Sequence, residues 1–210
     1  MIKKHWMILT VTSVLTLLPI VAGLILWNQL PEQIPIHWNA NGEIDGWAGK
    51  LFVVVLMPIL MLGLHWLGMF VTFSDPKKQN HSGKLLQLVF WIIPILNVFL
   101  AAVTYSSAMG KGVRVEILVP VFLGLVFVVI GNYMPKCRQN YTIGIKVPWT
   151  LSSEENWNRT HRLSGWIWVI GGIFVMVSGF FGWIWVTLAA ILPMALIPLV
   201  YSYILHRKGI

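Results

Sequence analysis

Charged residues are scarce in this sequence, in which Asp, Glu, Lys and Arg together make up only 10% of the 210 residues. Soluble domains carry about 25% charged residues and about 45–50% apolar ones, whereas 57% of this chain is hydrophobic. A soluble protein of this size does not cover its surface with so few charges. The composition therefore predicts an integral membrane protein and excludes disordered, collagen-like, coiled-coil and disulfide-scaffold classes.

Cysteine and acidic residues are also few. Cys137 is the only cysteine, so the chain cannot form an intramolecular disulfide. Seven Asp and Glu stand against 15 Lys and Arg, which gives a formal net charge of +8. In a soluble protein this basic balance suggests nucleic-acid binding. In a membrane protein it first reports orientation, and we expect no direct contact with nucleic acid.

Six apolar stretches are long enough to cross the roughly 30 Å hydrocarbon core. Helices are expected because backbone polar groups in lipid have to be satisfied within their own segment. The predicted fold is all-α, a polytopic membrane protein with six transmembrane helices. The predicted spans are Trp6–Trp27, Leu51–Phe73, Leu85–Ser106, Val115–Met134, Leu163–Phe181 and Trp183–Leu205.

We divide the chain into residues 1–73 and residues 74–210. The first part holds two helices and a patterned loop at 28–50, and the second holds four helices and a long loop at 135–162. Twelve of the 15 Lys and Arg fall at the two termini and in the loops at 74–84 and 135–162. The positive-inside rule then places both termini and the loop at 135–162 in the cytoplasm, and the loop at 28–50 outside.

Small residues form stripes on two of the predicted helices. Gly124 and Gly131 are spaced by seven, as are Gly165, Gly172 and Gly179. Such stripes let helix backbones approach closely. We expect the fourth and fifth helices to pack through these faces.

Ionisable residues are almost absent from the predicted spans. His65 lies in the middle of the second span and is either a neutral, hydrogen-bonded interior residue or a proton relay. Asn97 is polar but uncharged. Ion-coupled transporters need carboxylates within their spans, and the helix centres here carry none. A small-molecule transporter or a membrane enzyme remains the alternative function, but without a catalytic cluster we expect neither enzymatic activity nor a cofactor.

The loop at 28–50 is rich in turn-forming residues. Asn41-Gly42 and Asp45-Gly46 predict tight turns, and isoleucines on both sides of Pro35 predict a short extended piece. Two features weakly suggest a metal. The polar alternation before Gly46 faintly resembles a calcium loop, but Phe52 stands where the bidentate Glu is needed, and His37 alone is a weak zinc signal. We expect no metal site.

The loop at 135–162 is too long for a plain connector. Residues 142–147 favour β structure. Ser152 or Ser153 is placed to cap a short helix that begins near Glu154. On that helix Trp157 and His161 share one face. The loop is either an element that lies on anionic lipid headgroups or a folded binding surface for a cytosolic partner.

Both loops carry recognisable motifs. The motif in and beside the second loop consists of Gly131, Asn132, Met134, Pro135, Lys136, Asn140, Ile143–Lys146, Pro148–Leu151, Glu154, Trp157, Thr160–Arg162 and Gly165. They resemble the signature of the SdpI-like family, the immunity proteins for the sporulation-delaying-protein toxin of Bacillus-type bacteria. Lys146 departs from the Arg usual in the family, which keeps the charge but loses bidentate hydrogen bonding.

The first loop resembles a small domain of unknown function that often precedes that signature. The residues are Leu30-Pro31, Ile34-Pro35, His37–Asn39, Gly42, Asp45-Gly46 and Lys50. Together the two resemblances imply a multi-pass protein of the bacterial plasma membrane that gives resistance to a secreted hydrophobic antimicrobial peptide toxin. They also imply a receptor that recruits a cytosolic DNA-binding autorepressor to the membrane.

We assign toxin binding to the extracellular loop and partner binding or signalling to the cytoplasmic loop. The toxin-binding candidates are His37, Trp38, Asn39, Gly42, Asp45, Gly46 and Trp47. The signalling candidates are Asn132, Pro135, Lys136, Asn140, Gly144, Lys146, Pro148, Trp149, Thr150, Trp157, Thr160, His161 and Arg162. For this second group a purely structural role, in which the motif braces the fourth and fifth helices, remains equally open.

Overall fold

The computed structural model describes residues 2–210, with side chains described from residue 5 onward. The side chains of Lys3 and Lys4, which enter the charge count, lie outside the described part. Six of the described helices are long and apolar enough to cross a membrane, which confirms the predicted fold class. The helices are α1 (Ile2–Ile25), α2 (Met57–Ser74), α3 (Gly83–Ala108), α4 (Val115–Tyr133), α5 (Pro148–Ser152), α6 (Glu154–Phe180) and α7 (Ile184–Arg207).

One predicted boundary is wrong. The short helix expected near Glu154 and the fifth span are one continuous helix, α6, of 27 residues. Ser153 caps it, since its Oγ accepts the Asn156 N–H at 3.2 Å. Glu155 then pairs with Arg159 at 2.6 Å, so the polar first turns are stable as helix and no breaker separates them from the apolar part.

The loop at 28–50 contains the only strands in the described part of the chain, β1 (Gln33–Trp38) and β2 (Ile44–Gly49). They form an antiparallel hairpin, which confirms the extended piece predicted around Pro35. A π-helical turn at Phe52–Leu56 leads from the hairpin into α2. The hairpin adds a small β element to an otherwise helical protein.

The chain forms two compact units. The first comprises Met1–Phe73 and Gln87–Val115, and the second comprises Ser74–Leu86 and Glu116–Ile210. In the first unit, His65 is 1% exposed and its Nε2 lies 3.0 Å from the Thr12 hydroxyl. Asn97 donates to the Thr16 carbonyl at 2.7 Å. This geometry supports the interpretation of His65 as a hydrogen-bonded interior residue.

In the second unit, α4 and α6 touch backbone to backbone. A Cβ placed on Gly172 would lie 2.7 Å from the Gly124 carbonyl oxygen, and one on Gly131 would lie 2.8 Å from the Val169 nitrogen. Neither site has room for a side chain. The packing predicted from the glycine stripes is therefore confirmed.

We expect Gly172→Val to lower the thermal stability of the purified protein in detergent, because the new side chain forces α4 and α6 apart. Overpacking of this kind costs about 1–3 kcal/mol. Gly63→Val is the matched control, since a Cβ on this α2 glycine meets nothing within 4 Å. Equal shifts in melting temperature for the two variants would contradict the packing role.

Candidate functional site

The tip of the hairpin is organised by Asn39. Its backbone N–H donates to the Glu43 carbonyl at 2.9 Å. Its side-chain oxygen accepts the Asn41 and Glu43 N–H groups at 2.9 and 3.0 Å, and its Nδ2 donates to the Glu43 carboxylate at 2.8 Å. Gly42 takes a positive φ of 80°, which favours glycine. The turn predicted at Asn41-Gly42 is confirmed.

The second predicted turn, at Asp45-Gly46, is wrong. Both residues lie within β2, where the Asp45 carboxylate meets His37 Nδ1 of the facing strand at 2.5 Å. Gly46 is needed there for a different reason. A Cβ on it would lie 2.9 Å from the His37 Cβ, at a point where the strand register shifts.

The toxin-binding candidates therefore divide by role. His37, Asp45 and Trp47 expose their side chains, and 54% of Trp47 is accessible. Trp38 is half-buried at the end of β1. Asn39, Gly42 and Gly46 shape the hairpin rather than present a side chain.

The hairpin is fixed to the helices by Lys50, which entered the sequence prediction only as part of the resemblance. Its side chain is 7% exposed, and its ammonium group pairs with Glu32 at 2.9 Å. The same group donates to the Trp27 carbonyl at 3.2 Å and lies 5.0 Å from the centre of the Trp27 ring. Ile34 is fully buried and packs in the same core cluster as Tyr105.

In the second unit, side chains provide the hydrogen-bond acceptors for the backbone N–H groups of the signature loop, residues 135–162. The segment predicted to favour β structure, 142–147, is irregular because N–H groups within it and of the preceding Tyr141 bond to side chains instead of a neighbouring strand. The bonds are Tyr141 N–H to Asp75 Oδ2 (2.9 Å), Thr142 and Ile143 N–H to Asn140 Oδ1 (2.9 and 2.7 Å), Ile145 N–H to His161 Nε2 (3.0 Å) and Val147 N–H to Thr150 Oγ1 (3.1 Å).

The core of the loop is the predicted pair Trp157 and His161. Their rings stack with centroids 4.0 Å apart, which confirms the shared face. Trp157 is fully buried and donates to the Cys137 carbonyl at 2.7 Å. His161 Nδ1 lies 2.8 Å from the Trp157 carbonyl, so the hydrogen-bond network assigns the proton to Nδ1 and leaves Nε2 as an acceptor. Gly144, at φ 119°, passes directly over this imidazole, and a Cβ there would clash with Nε2.

Cys137 belongs to the same core. Its thiol donates to the Ile143 carbonyl at 3.3 Å, and Asn140 Nδ2 approaches the sulfur at 3.4 Å. Burial raises the pKa of Cys137 to about 11, against a smaller opposing effect of the Asn140 hydrogen bond. A thiol in this environment is protonated and inert.

Asp75, which the sequence prediction missed, lies just after α2 and holds the signature loop through hydrogen bonds. Its side chain is fully buried and accepts bonds from the Lys77 N–H (2.7 Å), the Tyr141 N–H and the Thr142 hydroxyl (2.9 Å each). Burial by itself raises the pKa of Asp75, but these hydrogen bonds and nearby His81 outweigh it and hold that pKa below its ordinary value. Burial also lowers the pKa of His81, against the pull of Asp75.

Gln139 is a second buried residue that the sequence prediction missed. Its amide nitrogen donates to the Thr150 and Leu151 carbonyls at 2.9 and 3.0 Å, and its side-chain oxygen accepts from Lys77. The Gln139 carbonyl accepts from Asn80 at 2.7 Å. Polar residues in the short loop after α2 were the only local sign of these partners.

The end of α7 also holds the loop. Asn156 donates to the Ser202 and Ile210 carbonyls at 2.9 and 3.2 Å, and its oxygen accepts from the Thr160 hydroxyl at 3.1 Å. Trp149 donates to the Ser202 hydroxyl. Of the predicted signalling residues, Asn140, Thr150, Trp157, Thr160 and His161 are therefore buried within the loop's own framework.

The other signalling candidates are mostly at the surface. The exposed ones are Asn132, Pro135, Lys136, Gly144, Lys146, Pro148 and Arg162. Lys146 donates to the Thr142 carbonyl at 2.9 Å, and Lys136 lies over the Tyr133 ring. Among the residues that the structure describes, no three His, Cys, Asp or Glu side chains are grouped to hold a metal.

Comparison with known proteins matches the same two regions. Residues 136–202 match the SdpI/YfhL protein family, and residues 14–62 match a domain of unknown function, DUF1648. The chain is 27% identical over 171 residues to the Immunity protein SdpI of Bacillus subtilis (strain 168), a stretch that covers 81% of each protein. No solved structure matches it significantly. The resemblance identified in the sequence is confirmed in both loops.

We expect Asp75→Asn to destabilise the second unit. The amide N–H₂ group of Asn would face N–H and O–H groups that now donate to the Asp75 carboxylate, and it cannot accept their hydrogen bonds. Leaving a buried polar group unsatisfied costs about 1–3 kcal/mol. Limited proteolysis of the signature loop and thermal melting in detergent measure the effect. Glu154→Gln, a similar change at an exposed residue, is the control.

The pH dependence gives an independent check. Because the pKa of Asp75 is lowered, its stabilisation is present above the ordinary carboxyl pKa and is lost as the pH falls through the lowered value. The acid-induced loss of stability should therefore be smaller in Asp75→Asn than in the native chain. An identical acid profile for both proteins would contradict this role of Asp75.

Proposed function

We propose that this chain, a multi-pass membrane protein that carries the SdpI/YfhL family region, protects a bacterium against a secreted hydrophobic peptide toxin. The similarity to an immunity protein over 81% of both chains carries this proposal. The two family models match regions that contain the hairpin loop and most of the signature loop, rather than the apolar helices alone. Hydrophobic composition by itself would not distinguish an immunity protein from other membrane proteins.

We place toxin binding at the hairpin, which the distribution of Lys and Arg predicts to lie outside the cell. His37, Asp45 and Trp47 expose their side chains there, on a hairpin that Lys50 holds in place. Trp is frequent at binding hot spots. It also favours the membrane–water boundary, where a hydrophobic peptide accumulates.

We also propose a binding role rather than a catalytic one. Cys137 and His161, the groups of the signature loop best suited to covalent or acid–base chemistry, are buried and committed to internal hydrogen bonds. The alternative of a small-molecule transporter receives no support from His65 and Asn97, whose side chains form hydrogen bonds with α1.

Expression of the chain in a bacterium sensitive to the sporulation-delaying toxin peptide should raise survival under that peptide. Trp47→Ala should reduce the protective effect, with roughly a 30-fold shift in toxin dose if Trp47 contributes the ~2 kcal/mol of a hot-spot aromatic residue. Trp185→Ala is the matched control, since Trp185 is also exposed but lies on α7.

Immunoblots of the membrane fraction must show equal amounts of all three proteins. Unchanged survival with the native chain present in the membrane would refute the immunity proposal. Equal protection by the native chain and Trp47→Ala would leave immunity standing but remove Trp47 from the toxin site.

We further propose that the exposed residues of the signature loop bind the cytosolic autorepressor implied by the family. The buried residues form a fixed framework, whereas Lys146 and Arg162 expose cationic groups that the loop's core does not contain. A cationic surface on a rigid base favours a partner with acidic groups. The same surface is suited to anionic lipid headgroups, so the experiment has to separate the two.

Arg162→Ala should release a fluorescently tagged family autorepressor from the membrane while toxin survival stays at the native level. Arg159→Ala, a neighbouring exposed arginine that pairs with Glu155, is the control. Loss of both recruitment and immunity, together with less protein in the membrane, would instead assign Arg162 a bracing role. Unchanged recruitment in Arg162→Ala would exclude this residue from the repressor surface.

A further inference from the structure

The outer edge of β2 is open. Lys50 N–H donates to the Glu32 carbonyl at 2.9 Å, and the register places Ile34 opposite Ala48. Alternation in an antiparallel ladder then turns the N–H and C=O groups of Trp47 and Gly49 away from β1. Within residues 2–210 the sheet has two strands, and no third strand pairs with these groups. An unpaired edge is a template for another strand.

The outer edge of β1 is much less suitable. Pro35 lies opposite Trp47 in the register, at the equivalent outward-facing position. Proline has no N–H to donate, and such residues are confined to edge strands for that reason. An added strand could accept hydrogen bonds from the outward N–H groups of both Trp47 and Gly49 on β2. On β1 the N–H that it would need at position 35 is missing.

The surroundings of the β2 edge restrict what can bind there. Trp47 is 54% exposed, and Leu51, which follows at the start of the path into α2, is 61% exposed. Glu43 and Asp45 expose carboxylates on the hairpin, whereas Lys50, the only Lys or Arg of residues 28–50, is buried. The edge therefore favours an extended, apolar peptide and repels one with acidic residues.

We propose that the toxin peptide binds by adding a third strand to the outer edge of β2, through the backbone groups of Trp47 and Gly49. This inference rests on the proposed immunity function and specifies how the same site recognises its ligand. Main-chain hydrogen bonds supply the binding and the Trp47 side chain packs on the peptide, as in other cases of strand addition. Because such a site binds the main chain of the peptide, it tolerates sequence variation among apolar peptides.

The test compares Gly49→Pro with Gly49→Ala in the full-length protein reconstituted in nanodiscs. A Cβ at Gly49 meets nothing within 4 Å, so the position has room for the alanine methyl group and for the first atom of a proline ring. Only proline removes the outward N–H and blocks the edge. We expect Gly49→Pro to bind the sporulation-delaying toxin peptide at least about tenfold more weakly than Gly49→Ala, as the loss of a main-chain hydrogen bond predicts. Gln33→Pro makes the same change at the outer edge of β1 and should leave toxin binding and survival unchanged.

Hydrogen exchange of the native chain tests the proposal without a variant. Adding the peptide should protect the Trp47 and Gly49 amides, and a ¹³C-labelled peptide should acquire a β-strand amide I band. Equal binding by Gly49→Pro and Gly49→Ala, or no protection of these amides despite binding, would overturn strand addition and leave immunity intact. A dimer that Gly49→Pro dissociates without a change in toxin binding would assign the edge to a second copy instead. If the native chain neither binds the toxin peptide nor raises survival under it, both the immunity proposal and strand addition are overturned.

Discussion

Backbone polar groups outside the helices have to find partners, and this requirement shapes both loops. Side-chain amides and hydroxyls supply those partners at the tip of the hairpin and throughout the signature loop. Asn39 closes the hairpin tip through its side-chain oxygen. Asn140 and Thr150 do the same for the signature loop, where they accept the N–H groups of residues 142, 143 and 147. An unmet group of this kind costs about 1–3 kcal/mol when buried, so Asn140 and Thr150, which are buried, weigh most in fixing the conformation of the signature loop.

This constraint also explains how much could be predicted from the sequence. The six spans were predictable because hydropathy over about 20 residues is a local property. The Asn41-Gly42 turn was predictable because a positive φ depends on the residue at that position, and glycine adopts it without strain. The Asp45-Gly46 turn was wrong because Gly46 packs against His37 on the facing strand. The start of a helix near Glu154 was predicted from its serine cap, but its continuity with the fifth span was missed because the polar first turns carry no hydropathy signal. Asp75 bonds to Tyr141, 66 residues away, and no spacing rule reaches that far.

The family motif therefore combines two kinds of residue. His161 is an acceptor for the Ile145 N–H, and Gly144 is small because that imidazole lies beneath it. These residues hold the backbone of the loop, and we expect a change in them to alter function through the fold. Lys146 and Arg162 are exposed, and the internal network includes Lys146 only through its bond to the Thr142 carbonyl. A partner surface is therefore to be sought among the exposed residues, although the buried ones make the motif recognisable.

The hairpin shows how a small β element can present a rigid edge at a membrane boundary. Burying the Lys50 ammonium is costly, and its partner Glu32 is exposed, so this ion pair adds little net stability. Its advantage is geometric, because Glu32, the Trp27 carbonyl and the Trp27 ring fix the ammonium at the point where β2 passes into the second span. With that junction fixed and Ile34 buried in the core beneath it, the backbone of β2 is already ordered before any ligand arrives. A preorganised strand loses little conformational entropy when a partner strand pairs with it, which is why the strand addition that we propose needs only a short edge.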